Sequence, residues 1–119
     1  MAQPTRLDLV GPQIASISNW VDEANAGRDP EALTWHRVAK TAEEAGEAIS
    51  EWLLLTGGNP RKPATLDDSK VVEELLDTAL AALGAVEHFR GNEGRSLDLL
   101  ADKVERVWIR AQESTGDTW

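Results

Sequence analysis

Four acidic side chains fall at helical spacing on two neighbouring segments of this sequence: Glu44 with Glu47, and Glu74 with Asp77. Residues three or four apart share a face of an α-helix, so each pair projects together. Like charges at this spacing destabilise an isolated helix by a few tenths of a kcal/mol per pair. A hard divalent cation would remove that conflict, because Mg²⁺ prefers carboxylate, phosphate and water oxygens in an octahedral shell. The spacing therefore predicts a magnesium site between two crossing helices.

A second interpretation of the same acids is a solvated helix face, which is the more common role of acidic runs because glutamate is a good helix former. Asp77 argues against it, since aspartate is a poorer residue in a helix interior. It also stands between Leu76 and Ala79, in an apolar part of its segment. The pattern alone leaves both interpretations open.

The elements that must position these acids are four helices, predicted at about 12–25, 30–55, 68–89 and 96–112. Asp29-Pro30 is a typical start signal for the second helix, and Gly57-Gly58 ends it. Ser96 is expected to cap the fourth helix, and a short strand is expected at 6–10. Each helix has an apolar stripe expected to face inward, including Trp52 on the second helix and Val104, Val107 and Trp108 on the fourth.

These elements predict an all-α, four-helix bundle. Residues 1–119 are expected to form a single domain, and the ends, 1–10 and 114–119, are expected to be flexible. The apolar surface of the third helix is wider than one partner helix needs. This breadth predicts that the third helix is central or lies at an interface between copies of the chain.

Composition narrows the classes of function. The 119 residues contain 21 acidic and 12 basic side chains, a net charge of −9, and no cysteine. The charge argues against a nucleic-acid polymer as partner, and the lack of cysteine excludes disulfides and thiolate chemistry. No apolar run is long enough to cross a membrane and no signal peptide is recognisable, so a cytoplasmic location is expected.

The string Lys40-x-x-Glu43-Glu44-x-x-Glu47, followed by Glu74-x-x-Asp77, resembles the signature of the MazG-like, all-α nucleotide pyrophosphohydrolases. The resemblance covers about residues 35–110. It implies hydrolysis of a ribo- or deoxyribonucleoside triphosphate to the monophosphate and pyrophosphate, as nucleotide-pool housecleaning. It also implies Mg²⁺, with Mn²⁺ as a substitute ion, held by Glu44, Glu47, Glu74 and Asp77.

The resemblance further implies that Glu43 or Glu51 orients the attacking water, that Lys40, Lys103 and Arg110 contact phosphate, and that the chain works as a homodimer or homotetramer. Two other residues are candidates for substrate contact from their positions alone. His36 lies two turns before Glu44 on nearly the same face, with a surface or core-edge position as its alternative. Trp35 lies near a helix end and could stack on a base.

Two other functions fit the residues. The chain could be a non-catalytic helical oligomerisation or interaction module with its acids outside, or it could hydrolyse another phosphoanhydride, such as an alarmone. Convergence of the four acids on one site would favour an enzyme over the interaction module. Three further residues have structural expectations: a close helix crossing or substrate approach at Gly46, helix packing at Gly84, and a structural role for His88.

Overall fold

The computed structural model describes residues 2–64 and 67–115, and every regular element in them is helical. A 3₁₀ turn at Leu7–Leu9 leads into α1 (Val10–Ala24), followed by α2 (Pro30–Leu55), α3 (Ser69–Phe89) and α4 (Ser96–Thr115). The all-α prediction is confirmed. The strand expected at 6–10 is wrong, because these residues form the 3₁₀ turn and the start of α1. The end of the expected flexible tail, 116–119, lies outside the described residues.

Local signals set both ends of α2 as the sequence predicts. The Asp29 carboxylate accepts a hydrogen bond from the Ala32 backbone N–H at 3.0 Å, and Pro30 occupies the first helical position. At the other end, Thr56 donates its hydroxyl to the Trp52 carbonyl, and Gly57 adopts a φ of 75°. A positive φ costs glycine little, which is why the helix ends there.

The start of α4 is capped by a distant residue. Glu87, on α3, is fully buried, and its carboxylate accepts hydrogen bonds from the backbone N–H groups of Gly94 and Ser96 at 2.9 and 2.8 Å. Ser96 is the first residue of α4, and its buried hydroxyl lies beside the Glu87 carboxylate instead of bonding a backbone N–H of the helix. The expectation that the Ser96 side chain caps this helix is therefore wrong.

α2 and α3 pack as an antiparallel pair and form the largest contact in the chain, while α1 packs mainly on α3. α4 makes far fewer contacts, with α1 and α3. The apolar core is correspondingly small and consists of Ile14, Ala15, Leu33, Ala48 and Ala85.

Several apolar side chains expected to point inward are exposed in the single chain. Trp52 is 54% exposed on α2, and Val104 is 57% exposed on α4. Val38, Ile49, Val107 and Trp108 are exposed as well. The inward orientation predicted for these stripes is therefore wrong within one chain, because the helices do not close around a single core. None of the helices in the described part of the chain combines the length and the apolar character that a bilayer crossing needs.

Candidate metal centre

Three of the four predicted ligands converge between α2 and α3. Glu44 from α2 and Glu74 and Asp77 from α3 each present a carboxylate oxygen, and these oxygens lie within 4.8 Å of one another. The convergence follows from the antiparallel pairing, which brings the middle of α2 against the first half of α3. A set of three carboxylates at this separation matches the donor chemistry of a hard divalent cation.

Glu74 carries a buried carboxylate oxygen, Oε2, that no donor of the described residues satisfies. Burial, the adjacent carboxylate of Glu47, and the charges of Asp77 and Glu44 together raise the pKa of Glu74 above its ordinary value. A buried oxygen without a donor is costly, and a cation among these carboxylates would satisfy it. The donor set and this orphaned atom both fit Mg²⁺.

Glu47, the fourth predicted ligand, lies next to Glu74 but is exposed and is not part of the group of three. The two catalytic candidates also lie outside the group of three. Glu43 is exposed and pairs with Lys40 at 3.2 Å, and Glu51 stands one turn beyond Glu47 on α2.

Lys40 places a positive charge beside the acids. Its ammonium lies 3.2 Å from Glu43 Oε2 and 3.2 Å from Glu44 Oε1, and hydrogen bonds to these two carboxylates raise the pKa of Lys40. Lys40 is therefore charged at neutral pH.

A cavity of about 340 Å³ opens directly from this group, between α1, α2 and α3. Glu44 and Asp77 form part of its wall, so the same two carboxylates face both the acidic group and the cavity. His36 and Lys40 also line it. Most of the remaining wall is apolar and is contributed by Ile14, Ile17, Val21, Leu80 and Ala81. The volume lies at the lower end of the range for small-molecule sites, which is about 300–1,000 Å³.

A buried polar network closes the end of the cavity remote from the acids. The Arg37 guanidinium is buried and pairs with Asp22 at 2.8 Å. Asp22 also contacts His88 Nδ1 at 2.9 Å and accepts a hydrogen bond from Asn92 at 2.9 Å. Burial alone would raise the pKa of Asp22, but hydrogen bonds from Asn92 and His88 and the charges of His88 and Arg37 hold it below its ordinary value.

Within this network, a structural role was expected from the sequence for His88. Its Nε2 lies 2.9 Å from the Thr34 hydroxyl, so the ring links α1, α2 and α3. Gly84 is part of the same packing, since a Cβ there would lie 3.2 Å from Arg37 Nη2. The expected role of Gly84 in helix packing is thus confirmed. At Gly46, by contrast, a Cβ would meet no atom within 4 Å, so the expected close helix crossing there is wrong within one chain.

Three predicted substrate contacts lie away from this cavity. Trp35 is 68% exposed and lines a separate apolar groove with Val38 and Phe89. Lys103 and Arg110 line a groove on α4 together with Arg106 and Ile109. Within one chain, only His36 and Lys40 of the predicted substrate contacts share the cavity with the acids.

Comparison with known protein families, with curated proteins and with solved structures found no match for this chain.

Proposed function

We propose that this protein is a magnesium-dependent nucleoside triphosphate pyrophosphohydrolase of the MazG-like kind, which converts a triphosphate and water to the monophosphate and pyrophosphate. The observation that carries the proposal is that Glu44 and Asp77 belong both to a group of three convergent carboxylates and to the wall of a cavity of about 340 Å³. A cation held at one end would bring the phosphates of a ligand into contact with the acids.

Each residue has a role in this proposal. Glu44, Glu74 and Asp77 would hold Mg²⁺, with Glu47 as an additional ligand beside Glu74. When bound, Mg²⁺ supplies positive charge that offsets the phosphates and stabilises the charge that develops on the leaving pyrophosphate. Lys40 lies at the acidic end and would contact a phosphate oxygen, and His36 would contact the nucleoside. Glu43 and Glu51 remain candidates for orienting the water that attacks the α-phosphorus.

The remaining candidates, Trp35, Lys103 and Arg110, would take part only if a second copy of the chain brought them to the site. Extensive exposed apolar surface supports such association, because apolar side chains at heptad spacing on α2 stay exposed, namely Trp35, Val38, Ile49 and Trp52. A seam at this spacing is typical of helices that pack on one another. We therefore propose a homodimer or homotetramer as the working form.

The direct test is to incubate the protein with Mg²⁺ and a panel of ribo- and deoxyribonucleoside triphosphates, and to measure release of monophosphate and pyrophosphate with and without a chelator. Release that the chelator abolishes is the expected result. Glu44→Gln and Asp77→Asn should each lower kcat by about 100-fold or more, since even outer-sphere partners of a metal cost up to about that factor.

Glu73→Gln is the matched control. It removes an exposed carboxylate on α3 next to Glu74, outside the convergent group, and should keep wild-type turnover. Turnover by Glu44→Gln and Asp77→Asn at the wild-type rate would refute the proposed site. Absence of release from every nucleotide by folded protein would favour another phosphoanhydride or a non-catalytic module.

A further inference from the structure

The cavity has an acidic end and an opposite end, which we call the Arg37 end. Because α2 and α3 run antiparallel, Glu44 and Asp77 share the acidic end, while Arg37 meets Gly84 at 2.9 Å at the other. The two ends are seven residues apart on both helices, which corresponds to about 10 Å along the helix axis. If the phosphates lie at the acidic end, as the proposed function requires, the nucleoside extends toward the Arg37 end.

Both terminal nitrogens of the Arg37 guanidinium are already hydrogen-bonded within the protein. Arg37 Nη1 donates to the Ser18 carbonyl at 3.2 Å and to Asp22 Oδ1 at 2.8 Å. Nη2 donates to Ser18 Oγ at 2.8 Å and to the Gly84 carbonyl at 2.9 Å. Each terminal guanidinium nitrogen carries two hydrogens, so all four are used.

The Ser18 hydroxyl is likewise engaged in hydrogen bonds within the protein. Its hydroxyl accepts from Arg37 and has a single proton to give, and Asn92 Oδ1 at 2.6 Å and the Gly84 carbonyl at 3.1 Å both lie within reach. Ser18 is 1% exposed and Arg37 is 7% exposed, so neither can turn toward a ligand without breaking buried hydrogen bonds. The rest of this end is apolar and includes Ile14, Ile17 and Ala81.

We infer that the Arg37 end receives the nucleobase as an apolar, planar ring and selects it by size, without reading its hydrogen-bonding edge. This inference rests on the proposed function and adds the basis of substrate selection to it. A pocket that contacts a group only by packing discriminates about 10- to 200-fold, whereas one built to hydrogen-bond that group rejects the wrong partner by about 10⁴-fold or more. Bases of equal ring size, cytosine and uracil or adenine and guanine, should therefore be handled alike.

His36 is the remaining polar side chain toward this end. Within the described part of the chain its side chain makes no hydrogen bond, and it is exposed. A hydrogen bond from an exposed ring to the base would compete with water, and its net contribution is small. It does not change the expected selection by size.

The test measures kcat/KM for the four ribonucleoside triphosphates, and calorimetric binding of the four nucleosides in the presence of a chelator. Within each pair of bases of equal ring size, the two kcat/KM values, and the two nucleoside affinities, are expected to differ by less than about 200-fold. A preference of about 10⁴-fold between cytosine and uracil, or between adenine and guanine, would overturn the inference.

Two variants change the cavity in opposite directions. Ala81→Leu fills part of it and should lower kcat/KM, or nucleoside affinity, for purines about tenfold more than for pyrimidines. Leu80→Ala enlarges the cavity and should raise the purine-to-pyrimidine ratio. Either variant alone tests the inference, so the experiment remains informative if one of them misfolds. Ala39→Leu is the control, on an exposed α2 position that does not line the cavity, and should leave the ratio unchanged.

The two measurements separate this inference from the proposed function. Size-dependent nucleoside binding without any triphosphate hydrolysis would support the inference and refute the hydrolase. Hydrolysis with strong discrimination by base edge, or with a purine-to-pyrimidine ratio that neither cavity variant changes, would refute the inference and leave the hydrolase standing. Neither hydrolysis nor nucleoside binding would overturn both.

Discussion

At the scale of single residues, Glu74 lies among other carboxylates, where a negative charge is unfavourable. The free energy of unfolding should therefore depend on whether Glu74 is protonated. Burial and its acidic neighbours raise the pKa of Glu74 above 4.5 in the folded chain. Between 4.5 and the raised value, the folded state binds more protons than the unfolded state, so the free energy of unfolding falls as pH rises. In the presence of a chelator, the melting temperature of Glu74→Gln should therefore increase relative to that of the wild type as pH rises from about 4.5 toward neutrality.

Magnesium should reverse this relationship at neutral pH. A cation that binds only the folded chain stabilises it by mass action, so added Mg²⁺ should raise the melting temperature of the wild type and leave that of Glu74→Gln nearly unchanged. A melting-temperature difference between the two proteins that stays constant with pH, together with equal responses to Mg²⁺, would contradict the assigned environment of Glu74.

Two helical glycines should respond oppositely to alanine. At Gly46 a Cβ meets open space, and Gly46→Ala should raise the free energy of unfolding by about 0.5–1 kcal/mol through helix propensity. At Gly84 a Cβ would lie against Arg37 Nη2, which makes two buried hydrogen bonds. Gly84→Ala should therefore lower the free energy of unfolding. Denaturant unfolding of both variants measures the contrast, and changes of the same sign and size would disprove it.

The sequence predicted the acids of the site but missed the residues that close the cavity. Glu44, Glu74 and Asp77 could be found because helical spacing fixes which side chains share a face. Arg37, Ser18 and Asn92 could not be found that way. Their side-chain hydrogen bonds join residues 15 to 74 positions apart, and no local periodicity signals which buried polar groups will pair across helices.

At the scale of elements, the junction between α3 and α4 depends on Glu87. Its carboxylate satisfies two backbone N–H groups at the start of α4, and a buried donor left without a partner costs about 1–3 kcal/mol. Glu87→Ala should therefore lower the free energy of unfolding by about 2 kcal/mol or more. Glu93→Ala, which removes an exposed carboxylate from the same loop, should have little effect. Equal unfolding midpoints for these two variants would rule out the capping role.

The ends of the helices could be predicted from the sequence better than the way the helices pack. The ends of α2 could be predicted because Asp29, Pro30 and Gly57 act on their own backbone. The orientation of α4 could not be predicted in this way. An apolar stripe that includes Val104 and Val107 indicates that a face will be covered, but periodicity carries no information about whether the covering surface belongs to the same chain.

At the scale of the whole molecule, the chain exposes more surface than a self-contained domain of its size. Its accessible surface is 8,997 Å², whereas a folded monomer of 13.0 kDa is expected to expose about 6,300 Å². The radius of gyration, 18.0 Å, likewise exceeds the roughly 13.5 Å typical of this length. The excess is about 2,700 Å² for one chain and about 5,400 Å² for two, which is enough to supply the 2,000–5,000 Å² that an obligate dimer buries over both partners.

This excess predicts that α2 contributes its exposed apolar stripe to an interface between copies. Ile49 is 62% exposed within that stripe, and Ile49→Lys would place a charge in the interface, where an unpaired ion is expensive. Light scattering after size exclusion should give the wild type at least twice the 13.0 kDa of one chain and shift Ile49→Lys toward that single-chain mass. Ser50→Lys adds the same charge on the neighbouring exposed position and should keep the wild-type mass. A wild-type mass of one chain would contradict association, and it would also remove Trp35, Lys103 and Arg110 from the site, because within one chain they line other grooves.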